Sequence, residues 1–480
     1  MWQRVYLLKE SKLMMISLFV LCGLLGLGMA LTAGKFGSRS IYLWGSAIGL
    51  LMLAFLIMFR FDEFTTALLV AVHLYVDWYL ALYVVSLAMT LVLLLSFYWQ
   101  RSVRHRWVEP QAIWLWGLLL LLTLVPAIRG ATNLYDAAYY YPNLIVGALV
   151  TFWLGLVVAQ NKSSLRRLCL VVTAIGTLVA LHTIIQEVTG RFLLASSHYD
   201  AFLSSVSNYQ ITGSDTNRVG SFFVDPNWNG TFLAMMLCLE LGLFVDCQTL
   251  LGKVCYLAEI ALAIPALLFT FSTGAFIGIC AGVVTFFLLV GRSLYRIILL
   301  LLIIVTIVAL FLLLPSDILL QVQHASGAKE VLLRVGAWGT ALRVIAAFPL
   351  TGIGLGLYTY LVNSAPYRVP AQTLPLAHPH NSYLELAAMA GIPVLLVFIA
   401  LVGVALRAAL HNWLEADVRT RSLIGGAIAA VVALSVNSLS INGWTLPPLA
   451  ATGWLILGAV ASPLLKKTSH CMQRRMTKTT

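Results

Sequence analysis

The chain reads as an all-α, polytopic integral membrane protein, with about 12–14 transmembrane helices and two long loops on the outer face. Three observations predict this. First, 61% of the 480 residues are hydrophobic and only 10% are charged, with a mean hydropathy of +0.94; soluble domains carry about 25% charged residues. Second, apolar runs near the length of one membrane crossing recur through most of the chain. Third, Lys and Arg gather on alternate connecting segments, as the positive-inside rule requires.

Taken in order, the spans fall near 13–31, 41–59, 65–77, 79–98, 111–128, 143–160, 168–187, 225–246, 254–271, 274–290, 297–314, 388–409, 423–440 and 447–465. The stretch from Leu13 to Leu31 is long enough to span and shows no small-residue cleavage pattern, so no cleavable signal peptide is expected. Thr65 to Trp99 is one apolar run of 35 residues, too long for a single span, and Asp77 near its middle marks a hairpin turn. With both termini cytoplasmic, 21 of the 30 Lys and Arg lie on inner segments. A single span over 65–98 would put Arg101, Arg104 and Arg106 outside, so the hairpin is kept. The net charge of +12 is thus explained by topology, and no nucleic-acid partner is expected. The seven cysteines are scattered and form no CxxC pair, which indicates neither a metal site nor a disulfide framework.

The chain divides into N-terminal transmembrane helices over 1–187, a region with two outer loops over 188–410, and C-terminal transmembrane helices with a basic cytoplasmic tail over 411–480. The outer loops, roughly 188–224 and 315–387, are rich in aromatics, glycines and polar residues, and long structured loops usually hold function. The first runs Arg218-Val219-Gly220-Ser221-Phe222-Phe223-Val224-Asp225-Pro226-Asn227, in which Asp225, Pro226 and Asn227 signal a turn into a helix. The second predicts a helix over 328–347. Helical spacing puts Arg334, Trp338, Ala341 and Ile345 on one stripe and Arg343 on the opposite side, toward water. Phe348-Pro349-Leu350 then ends that helix, and Gly352, Gly354 and Gly356 make a tight passage. The loop closes on His378-Pro379-His380-Asn381-Ser382-Tyr383, two histidines at the mouth of an apolar segment, where proton transfer near neutral pH is available.

These blocks resemble the O-antigen ligase and polymerase family of bacterial envelope glycosyltransferases. The likeness rests on Arg218 to Asn227, on Arg334 and Trp338 with the Phe348–Gly356 stretch, and on His380-Asn381-Ser382-Tyr383-Leu384 with Gly391 beyond. It covers roughly 200–410, and makes 188–410 the ligase-like catalytic region. The resemblance implies an outward-facing cavity in a multi-pass protein of the plasma (inner) membrane. It also implies transfer of a glycan from a polyprenyl-diphosphate carrier to an acceptor hydroxyl on a glycan, lipid or protein, with no metal and no cofactor. Carried over by position, the catalytic groups are His380, Arg218 and Arg334. His378, Asn381, Arg343, Trp338, Asp225 and Asn227 are the surrounding candidates for substrate contact, and the assignment of the working histidine stays open between His378 and His380.

The residue chemistry points the same way. A diphosphate leaving group needs its charge stabilised, and Arg is always charged and binds phosphate with a two-pronged fork. A neutral His can take the proton of the acceptor hydroxyl, an effect worth roughly 10²–10⁴-fold. No Asp-x-Asp cluster stands in an outer loop to hold a divalent ion. The rival reading is a transporter or flippase for a lipid-linked or small substrate, motivated by the ionisable groups His73, Asp77, His182, Glu187, Glu240 and Glu259 in or at the ends of spans. Against it, no repeated halves are visible and the polar residues concentrate in the outer loops. A non-catalytic partner in an envelope assembly is a third reading. Ligase and polymerase share a donor and differ in acceptor, which the sequence leaves open.

Overall fold

The structure is a computed structural model that describes residues 110–130, 136, 141–159, 161–190, 208–210, 217–223, 225–291 and 328–466. The spans expected at 13–31, 41–59, 65–77, 79–98 and 297–314 lie outside the described residues.

Twelve helices are described: α1 (Pro110–Gly130), α2 (Gly147–Val158, entered through a π-helical turn Tyr141–Val146), α3 (Lys162–Thr189), α4 (Pro226–Asp246), α5 (Leu250–Phe269), α6 (Thr273–Val290), α7 (Ala328–Ala347), α8 (Leu357–Asn363), α9 (Ser382–Ala390), α10 (Ile392–Glu415), α11 (Val418–Asn437) and α12 (Pro447–Ala461). Seven of them, α1, α3, α4, α5, α6, α10 and α11, are long and apolar enough to cross a membrane, and α2 and α12 are shorter apolar helices. The protein is thus all-α and multi-pass. One short antiparallel ribbon, β1 (Asn208–Gln210) with β2 (Asn217–Val219), pairs Tyr209 with Arg218 in the segment before α4. At three residues a strand, it is too short for a period-2 pattern to reveal in the sequence.

The helix boundaries follow from local chemistry. Asn161 caps α3 by accepting from Ser164 N at 3.0 Å while Ser164 Oγ accepts from Asn161 N at 3.1 Å, a reciprocal capping box. Asp225 caps α4 and Pro226 occupies its first turn, where a missing N–H costs nothing. Thr249, Ser272, Asn381 and Asp417 cap α5, α6, α9 and α11 in the same way.

Between these ends the helices pack through small residues, which let backbones approach where lipid supplies no hydrophobic drive. A Cβ on Gly242 of α4 would lie 2.8 Å from Ser422 O, and one on Gly282 of α6 would lie 2.9 Å from Ala429 O, so α11 is gripped from both sides. Gly155 of α2 meets α12 equally closely. Asn412 of α10 donates to Val460 O at 2.8 Å and Ser462 O at 3.0 Å, locking α10 to the end of α12.

The two ends of the bundle differ. At one end Lys162 and Arg166 of α3 pair with buried Asp246 at 3.0 and 3.3 Å, Lys162 also reaches Asp417 at 3.6 Å, and Arg419 donates to Gln248. At the other end stand the starts of α4, α6 and α9 and the 438–446 segment. There too the glycine-rich passage docks on α9. Ile353 N and Gly354 N donate to Ala388 O and Met389 O, both at 3.0 Å, using carbonyls that the end of α9 leaves unsatisfied. Gly352 and Gly391 have φ of 62° and 94°, and a Cβ on either would fall 2.3–2.4 Å from backbone across the contact, so only glycine fits there. Arg129 at the end of α1 holds the same passage through Thr351 Oγ1 and Gly352 O, both at 2.8 Å. Buried Asp136 takes the N–H and hydroxyl of Thr359 at the start of α8.

Candidate functional site

Arg218, in the middle of β2, is buried, and the local chain is built to hold it. Its Nε donates to Thr270 O at 3.0 Å and its Nη2 to Asn227 Oδ1 at 2.8 Å. Asn227 Oδ1 also accepts from Ser272 Oγ at 3.1 Å, and Asn227 N donates to Asp225 Oδ1 at 2.7 Å. So the start of α4, the α5–α6 turn and β2 close around one guanidinium. Behind it, His182 Nδ1 lies 2.8 Å from Ser221 Oγ and its ring stacks on Phe222 at 4.2 Å.

His380 stands just before α9. Its backbone N donates to His378 Nδ1 at 3.2 Å, and the two rings lie 4.2 Å apart. Accepting at Nδ1 fixes the neutral His378 ring with its proton on Nε2. Burial and, after it, the Arg334 guanidinium push the His380 imidazole down to about 4, with the Asp225 carboxylate opposing them. Burial and the neighbouring His380 hold His378 well below its usual value. Both rings are therefore neutral at pH 7. Asn381 is buried and fully used: its Oδ1 accepts from Tyr383 N at 3.0 Å and Leu384 N at 3.1 Å, and its Nδ2 donates to Leu439 O at 2.9 Å.

The helix expected over 328–347 is present as α7. Ala341 is buried against the protein, Arg334, Trp338 and Ile345 are half-buried, and Arg343 is exposed. The structure thus brings Arg218, Asp225 and Asn227 into direct contact, and sets Arg334 and Asp225 within electrostatic reach of His380. Trp338 shares the half-buried stripe with Arg334, while Arg343 is exposed on the opposite side.

Three of the described residues other than glycine adopt a left-handed backbone: Ser221, Phe271 and His380, with φ of 50°, 46° and 51°. Each sits in a segment of this site, and such strain costs about 1–3 kcal/mol and concentrates at functional positions. Thr270, Ser272 and the 438–446 segment were not legible as parts of the site. Thr270 acts through a carbonyl, which any residue carries, and the other contacts span tens to hundreds of positions.

Residues 259–399, under a third of the chain, match the model of the family described as O-antigen ligase. Arg334, Trp338, Arg343, His378, His380 and Asn381 lie inside the match, whereas Arg218, Asp225 and Asn227 precede it. The match supports the O-antigen ligase/polymerase resemblance over this region. No curated protein matches the chain.

Proposed function

We propose that the protein moves an oligosaccharide or polysaccharide from a polyprenyl-diphosphate carrier to an acceptor hydroxyl, on the outer face of the plasma membrane, without a metal. One observation carries the reading: a neutral imidazole, His380, lies in the field of Arg334 and Asp225, with Arg218 anchored to the same turn as Asp225.

In this mechanism the acceptor oxygen attacks the anomeric carbon as the bond to the diphosphate breaks. His380 takes the hydroxyl proton, and Arg334 and Arg218 stabilise charge on the departing diphosphate. His380 is the better base, because His378 Nδ1 is already occupied by the His380 backbone. A base near pH 4 is unprotonated but weak. Burial is the larger cause of this and stays; donor binding offsets the smaller one, since an anionic diphosphate beside Arg334 counters the cation and raises the basicity of His380. Asn227 orients Arg218 through its bond to Nη2, and Asn381, next in the chain to His380, fixes the start of α9 against Leu439 O. Region 188–410 is the catalytic unit in this reading, and the helices before and after it form its membrane frame.

The second reading, transport, draws on Glu240 of α4, which is fully buried and whose carboxylate oxygens have no hydrogen-bond partner among the described residues. Purified protein in lipid, supplied with a polyprenyl-diphosphate oligosaccharide, separates the two. Glycan transfer supports the enzyme, and passage of intact lipid-linked glycan across the bilayer without transfer sinks it.

A further inference from the structure

We propose that the 438–446 segment is the keystone of the site, fixing the Arg218–Asp225 half against the His380 half through the Trp228–Asn442 bond, so that Trp228 and Asn442 are positioning residues for transfer. This rests on the reading under Proposed function.

The two halves are carried by elements far apart in the chain. On the His380 side, the segment takes the first residues of α9 by their backbone: Ser382 N donates to Ser438 O at 2.9 Å and Ile441 O at 3.0 Å, and Trp444 N donates to Ser382 Oγ at 3.0 Å. Asn381 adds its bond to Leu439 O. On the Arg218 side, Trp228 in the first turn of α4 donates its indole N–H to Asn442 Oδ1 at 2.9 Å. Next to it Asn437 Nδ2 donates to Thr231 Oγ1, which itself donates to Asn227 O at 2.6 Å. Asn227 is the residue that holds Arg218 Nη2.

Asn442 is 3% exposed and its acceptor is spent on a residue 214 positions away. A buried polar bond at that separation specifies relative placement more than it adds stability, and losing one partner leaves the other unsatisfied. The segment also lies beyond residue 399, where the family match ends, so its role is not implied by that match.

The consequence is electrostatic. His380 is faced by Arg334 from α7, by Asp225 ahead of α4 and by His378 from its own segment. Among the described residues Asp225 alone favours the protonated ring, and this bridge, with the Asn437–Thr231 bond beside it, ties the turn of Asp225 to the His380 segment.

The test uses the full-length protein in lipid with a polyprenyl-diphosphate oligosaccharide, comparing Trp228→Phe, Asn442→Ala and the double variant. Turnover is expected to fall at least tenfold with donor KM within about twofold. The acid limb of the rate profile is expected to move to lower pH, because Asp225 loosens from His380. The double variant should be no worse than the poorer single one, since both break one bond. Amide exchange should quicken over 225–231, 380–384 and 438–446 alone. If wild type transfers and either single variant matches it in turnover and acid limb, or if the losses add, the positioning role is wrong while the enzyme reading stands. Exchange that quickens throughout the fold marks a merely structural contact and also overturns it. If wild type transfers nothing, the enzyme reading fails and takes this role with it.

Discussion

Burial depresses His380 most, and two neighbours of opposite sign tune it further, which makes its role measurable one residue at a time. Arg334 pushes protons off the ring and Asp225 holds them on. Removing a cation raises a nearby imidazole, so Arg334→Gln should move the acid limb of kcat/KM up from about pH 4. It should also cost about 10²–10³-fold in turnover through lost phosphate stabilisation. Asp225→Asn keeps the cap on α4 and should move the limb the other way. Limbs that shift together, or not at all, would remove the field of these two residues from the mechanism. In the wild type the acid limb of kcat should lie above that of kcat/KM, because bound diphosphate offsets Arg334; the two profiles check this directly. The sequence offers His380 as a candidate because a polar pair at the mouth of an apolar segment is costly unless used. It does not choose between His378 and His380, since which ring nitrogen accepts a backbone N–H leaves no mark on the sequence.

Among the elements, the glycine-rich passage and the end of α9 form one joint. Gly391, at φ 94°, would place a Cβ 2.4 Å from Leu350 O. Gly391→Ala should therefore lower the melting temperature of the purified protein, with strain of about 1–3 kcal/mol in addition to the clash. Gly403→Ala is the control: a Cβ there meets nothing within 4 Å, so the helix propensity of Ala should leave stability unchanged or slightly higher. Equal effects at the two sites would mean that the joint is not tight. Spacing alone placed α7 correctly, because its apolar stripe meets protein on one side and Arg343 meets water on the other. It could not show that the passage would satisfy the carbonyls of α9, since that pairing joins residues about 35 positions apart through backbone atoms that carry no sequence signal.

For the whole molecule, hydropathy and Lys/Arg placement located every described span to within about six residues at either end, because lipid demands length and composition that few other environments demand. The gathering of the site at one end and the Lys162–Asp246–Asp417 ion pairs at the other fits a single orientation. With native cysteines removed, cysteines at exposed Thr273 and Arg343 should react with an impermeant thiol reagent in intact cells. Those at Lys253 and Arg419 should react only after permeabilisation, and the reverse pattern would turn the topology over.

Transfer of glycan from a polyprenyl-diphosphate oligosaccharide by the purified protein in lipid, run beside His380→Ala and His378→Ala, is the most direct test of the chemistry. Wild type should transfer, His380→Ala should lose about 10²–10⁴-fold, and His378→Ala should retain most of its turnover. Transfer that survives loss of His380, or that fails only with loss of His378, would contradict the assignment of His380 as the base.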